Sequence, residues 1–142
     1  MRYFILLFIF AFATIANAQN IPVLKNMKKK SAHVLKVKIV ESPINVKTAG
    51  PVLVEVVEVY KSSSMKVGDK FAIYMQPFLI VSDSGKINHL LPGNELVVFL
   101  AKGKPNSYSK NGKQFALTHL YDDYSGWMFF NENLGEALRK KK

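Results

Sequence analysis

Apolar and polar residues alternate with a period of two along most of this chain, and clusters of Gly, Pro, Asn, Asp and Ser close each alternating run. Such a pattern predicts half-buried β-strands joined by turns. In residues 33–41, Leu35, Val37 and Ile39 point one way and Lys36 and Lys38 the other. Residues 52–60 break the rule halfway: Val52, Val54 and Val56 share one parity, whereas Val57 and Val59 share the opposite one. Because alternate residues line alternate faces, the switch predicts a bulge near Val56–Val57. A strand that bends in this way suits a small, strongly curved barrel better than a flat sheet.

The turns and remaining strands follow from local chemistry. Lys61-Ser62-Ser63-Ser64 with Val67-Gly68-Asp69 forms a turn into a strand carrying Phe71, Ile73 and Met75. Residues 78–81 and 87–91 are candidate pairing strands around Asp83-Ser84-Gly85. Pro92-Gly93-Asn94 is a tight turn, and residues 95–101 are apolar on both parities, so that strand is expected to be buried on both faces. Asn111-Gly112 between two strands fits a type I′ hairpin, whose central residues both need positive φ. Residues 114–120 and 126–130 complete the strands. Asn131 is placed to cap a short helix with Leu134, Ala137 and Leu138 on one face.

The first eighteen residues have another purpose. Arg2, the apolar run 3–12 and the small-residue motif Ala16-Asn17-Ala18 read as a signal peptide cleaved after Ala18. The remaining chain begins at Gln19 and holds no cysteine, which fits a secreted or periplasmic domain that does without disulfides. Residues 19–31, with Pro22 and four lysines, are expected to be a basic, extended lead-in, and residues 32–142 a single domain. The net charge is +10, but residues 31–138 carry 11 basic and 10 acidic side chains. The folded body is nearly neutral and its ends are basic, which suits solubility or attraction to an anionic polymer or surface.

Candidate chemistry is sparse. No G-x-S-x-G motif and no cysteine nucleophile occur. His33, His89 and His119 could gather as metal ligands across strands, but their spacing is equally that of ordinary strand and loop histidines. Asp122 and Asp123, between Tyr121 and Tyr124, could share a metal or a proton. A turn that uses Asp for local capping is the simpler reading. Trp127 is expected to pack in the core or at a barrel end. The pattern therefore favours a binding module without cofactor, metal or catalytic residues.

Residues 31–38 (SAHVLKVK), 54–61 (VEVVEVYK), 71–77 (FAIYMQP), 91–100 (LPGNELVVFL) and 111–117 (NGKQFAL), in that order and followed by Trp127, resemble the inhibitory domain of the tissue inhibitors of metalloproteinases, within the wider netrin-module group. The resemblance covers nearly all of the chain after residue 18. It implies a mainly β fold, a five-stranded OB-like Greek-key barrel with a short C-terminal α-helix. In that family the amino-terminal cysteine chelates the zinc of a protease and a disulfide pins it to the barrel. Here Gln19 stands in the corresponding place, so the expected partner is a protein, an extracytoplasmic metalloprotease by analogy, met through Gln19, Asn20 and Ile21. The alternative is an anionic polymer or oligosaccharide bound by Lys28, Lys29, Lys30, Lys102, Lys104, Lys110 and Lys113.

Overall fold

The computed structural model describes residues 23–42, 49–76, 80–81, 87–88, 90–122 and 126–140. The fold is mainly β. A helix, α1, spans residues 23–30. It is followed by β1 (His33–Glu41), β2 (Gly50–Lys61), β3 (Lys70–Met75), β4 (Ile80–Val81), β5 (Ile87–Asn88), β6 (Glu95–Leu100), β7 (Asn106–Lys110), β8 (Lys113–His119) and β9 (Trp127–Phe129), and by helix α2 (Glu132–Arg139). Seven strands form one mixed sheet in the order β7-β8-β3-β2-β1-β6-β9, and β4 and β5 pair separately. Within that sheet β3 and β8 are parallel, and the other neighbours are antiparallel. The expected count of five strands is thus exceeded, and the hydrogen-bonded order is open, with β7 and β9 at its ends.

The parity switch in β2 is a bulge, as the valine pattern requires. Glu58 faces Lys36 and Val56 faces Val37, so Val57 is the extra residue between two consecutive pairs. Val52, Val54 and Val56 are fully buried, and beyond the bulge Val59 packs against the same cluster. The bulge is held from the other side: Val56 N–H donates to Asp69 O and Gly68 N–H to Val56 O, both at 2.9 Å.

The sheet separates two apolar clusters. One face gathers Leu35, Val37, Ile39, Val52, Val54, Val56, Phe71, Ile73, Met75, Leu90, Leu96, Val98, Leu100 and Leu120, and among the described residues no helical one joins them. The other face packs Val34, Val97 and Phe99 against Met27 of α1 and Leu134 and Leu138 of α2. β6 serves both clusters, and Leu96 through Leu100 are all at 0 % exposure, as a run apolar on both parities demands.

The turns predicted at Pro92-Gly93-Asn94 and Asn111-Gly112 form, and Asp83-Ser84-Gly85 lies outside the described residues. Asn111 and Gly112 have φ of 50° and 75°, as a type I′ hairpin needs. At Pro92-Gly93, Asn94 N–H donates to Leu91 O at 3.1 Å and Gly93 has φ 89°. The C-terminal helix is capped as expected, Asn131 Oδ1 accepting from Leu134 N–H at 2.9 Å.

The lead-in departs from expectation, since residues 23–30 are helical where extended chain was predicted. Leucine, methionine and lysine are good helix formers, and a proline just ahead of a helix does not oppose it. Leu24 and Met27, three apart, meet the outer cluster, and that burial outweighs the charge of the segment. Ser31 stops the helix, donating to Met27 O from both N (3.0 Å) and Oγ (2.7 Å).

Beyond β8 the chain crosses to β6. Leu120 bridges Leu100. Ala101 N–H donates to His119 O (2.9 Å), Tyr121 N–H to Phe99 O (2.8 Å) and Phe99 N–H to Gly126 O (2.8 Å). The end of β8 and the start of β9 therefore share one edge of β6, interrupted by a turn in which Gly126 N–H donates to Asp122 O at 2.8 Å.

Candidate functional site

The joint between α1 and the sheet is the most heavily bonded spot near the start of the described chain. Lys61, at the bulged end of β2, sends its ammonium group to the carbonyls of Lys28 (2.8 Å), Lys29 (3.4 Å) and Ser31 (2.5 Å). These are carbonyls at the end of α1, which have no partner within a helix and carry the negative end of its dipole. A single cation satisfies them and ties the helix to the strand. Lys28 repeats the device, donating to Leu138 O of α2 at 2.9 Å.

Beside this joint, His33 Nδ1 lies 2.8 Å from Ser62 Oγ. Ser62 Oγ also accepts from Ser64 N–H (3.2 Å) and Met65 N–H (2.8 Å), so the hydroxyl proton is directed at His33. That geometry assigns the tautomer with Nδ1 unprotonated. Burial, and then the charge of Lys61, lower the His33 pKa and favour this neutral ring.

The outer face carries the charge. Arg139 grips Glu58 through Nε to Oε1 (2.6 Å) and Nη2 to Oε2 (2.9 Å). The arginine hydrogen bonds hold the Glu58 carboxyl below the usual range. Tyr60 Oη donates to Glu58 Oε2 at 3.2 Å, and burial followed by the Glu58 charge pushes the phenol upward. Lys36 pairs with Glu95 at 3.0 Å and sits 3.6 Å from the centroid of the Phe130 ring. The Arg139–Glu58 pair clamps α2 to β2, and Lys36 over Phe130 holds the chain just ahead of α2 against β1.

The seven lysines proposed for anion binding do not form one surface. Lys28 is spent on α2, and Lys110 is paired with Glu41. Lys29 and Lys30 are exposed at the end of α1, and Lys102 and Lys104 are exposed on the β6–β7 connection. Ala32 N–H donates to Leu100 O at 2.8 Å, so α1 enters the sheet where that connection leaves it. Lys110 and Lys113 face each other at the hairpin tip, beside Glu41, at the other end of β1.

Gln19, Asn20, Ile21, His89 and Asp123 lie outside the described residues. Asp122 is a turn residue through its carbonyl. Trp127 packs against the inner cluster and meets Phe129 edge-on, with ring centroids 5.4 Å apart. His119 lies beside Tyr74, centroids 6.1 Å apart. Among the described residues no three His, Cys, Asp or Glu side chains are grouped to hold a metal. None of the described helices is long and apolar enough to cross a membrane.

Sequence reasoning missed Lys61 and Glu58. Their partners lie about thirty residues upstream and 81 residues downstream, and no local pattern points that far. No family model, curated protein or solved structure matches the chain.

Proposed function

We propose that the chain is an exported, non-catalytic binding module built on a five-stranded OB-like Greek-key barrel. It meets a protein partner through Gln19, Asn20 and Ile21, and an extracytoplasmic metalloprotease is the partner class to test first. Counting β8 and β9 as one interrupted strand gives a cycle β1-β2-β3-β8/β9-β6, and three observations support it. One is the parallel pair β3–β8, a second the bridge from Leu120 to Leu100, and the third an inner cluster to which, among the described residues, no helix contributes. A sheet that covers its own apolar face does so by curling round.

The observation that carries the binding reading is the tie from Lys61 to the carbonyls at the end of α1. A segment that presents a chain end to a partner needs a fixed base, which the resembling family obtains from a disulfide. With no cysteine in the sequence, Lys61 and buried Met27 serve that purpose.

The test is inhibition of a panel of zinc endopeptidases by the chain beginning at Gln19, its amino group kept uncyclised. Slowing of substrate cleavage that disappears on deletion of residues 19–21 is the expected result. Unchanged rates at micromolar excess of this protein remove the inhibitor reading.

A further inference from the structure

The basic stretches near the two ends of the sequence meet in the fold. Lys28 Nζ reaches Leu138 O across 110 residues, which sets the last turns of α1 and α2 side by side. Lys29, Lys30 and Lys140 are exposed there, and Lys141 and Lys142 follow in sequence. Lys102 and Lys104, also exposed, leave the sheet at the same end, because Leu100 O accepts from Ala32 N–H. Among the described residues, no ion pair or hydrogen bond engages the ammonium groups of Lys29, Lys30, Lys102, Lys104 or Lys140. The nearby acid Glu58 is taken by Arg139, and Glu132 lies 3.7 Å from the same guanidinium. The negative ends of the two helices are covered by Lys61 and Lys28. Glu136 is also exposed in the last turn of α2, but Lys29, Lys30, Lys102, Lys104 and Lys140 outnumber it, so the charge facing outward at this corner is net positive.

We infer that this corner docks the protein on an anionic lipid surface. The charges are lysines, compact and strongly hydrated, without the planar fork that reads a single phosphate, and Arg139 is occupied by Glu58. Among the described residues, the rings near the helices, Tyr60, Tyr121 and Phe130, are partly buried against the outer cluster and offer little free face for stacking nucleotide bases. Val23, 57 % exposed in the first turn of α1, lies on the stripe shared with Asn26 and Lys30, so that stripe runs from an apolar contact to the charged end. Diffuse charge with a small apolar foot fits a headgroup layer. The site is independent of the protein-partner reading, since it uses none of Gln19, Asn20 and Ile21.

Co-sedimentation of the chain lacking residues 1–18 with vesicles of equal parts phosphatidylcholine and phosphatidylglycerol tests this. Binding is expected to the mixed vesicles and not to phosphatidylcholine alone, and to weaken with added salt. Each lysine near such a surface accounts for about fivefold in affinity. Lys29→Gln with Lys30→Gln therefore weakens binding by about 25-fold, and Lys102→Gln with Lys104→Gln weakens it in the same sense. Lys110→Gln with Lys113→Gln, at the far end, leaves it unchanged. Absence of binding to the mixed vesicles, equal loss from the far-end pair, or binding to a single-stranded oligonucleotide while vesicles are ignored overturns the inference.

Discussion

Arg139 and Glu58, 81 residues apart in sequence, are joined by two parallel hydrogen bonds of 2.6 and 2.9 Å. The pair holds the last turn of α2 against β2, and the fork geometry makes it directional. The Glu58 pKa is lowered in the fold, chiefly by the hydrogen bonds from Arg139, so the unfolded chain binds the proton more tightly. The stabilisation is present at neutral pH and disappears as pH falls below the ordinary glutamate range, about 4. Thermal melts of the parent and of Glu58→Gln are expected to differ at pH 7 and to converge at low pH. A constant gap would contradict the linkage.

Lys61→Met keeps an unbranched apolar stem and removes the ammonium group. Three carbonyls lose their shared donor, at a cost of about 1–3 kcal/mol. The loss is local, so amide exchange in residues 23–30 should accelerate more than exchange in β6. Urea unfolding measures the global part.

His33 predicts a second pH dependence. Its pKa is lowered in the fold by burial and by Lys61, so the unfolded chain takes up a proton first as pH falls. Stability contributed by the neutral ring is complete above about pH 6.5 and declines below it, until the folded ring itself protonates. His33→Gln should show a shallower fall in Tm between about pH 7 and pH 5 than the parent.

Gly126 has no room for a side chain. A Cβ there would lie 2.5 Å from Asp122 O and 2.8 Å from Leu120 Cβ, against the turn that carries β8 into β9. Gly126→Ala is expected to destabilise by about 1–3 kcal/mol, read from denaturant unfolding. At Gly112 a Cβ meets nothing within 4 Å but φ is +75°. The alanine variant there should cost only the left-handed backbone penalty, about 1–2 kcal/mol.

Much of this architecture was legible in residue order alone, because it rests on interactions between near neighbours. The valine parity switch located the bulge at Val57, and Asn111-Gly112 located a hairpin, since only certain residues tolerate two positive φ values. Two-sided apolarity identified β6 as buried, and Asn131 announced α2. Residues 23–30 misled because their helix depends on Leu24 and Met27 finding an apolar surface made by strands much later in the chain.

The candidate sites divide along the same line. Hydrophobic periodicity and turn chemistry act over a few residues, so the sequence by itself determined which segments are strands, where most of them stop and that the excess charge lies at the ends. Only the tertiary structure decided that those ends are neighbours, that Lys28 and Lys61 are spent on helix carbonyls while Lys29 and Lys30 face outward, and that Lys110 belongs to the opposite end. The physical reason is that an ion pair or a capped carbonyl needs a partner within a few ångströms, and chain folding, not sequence separation, sets that distance.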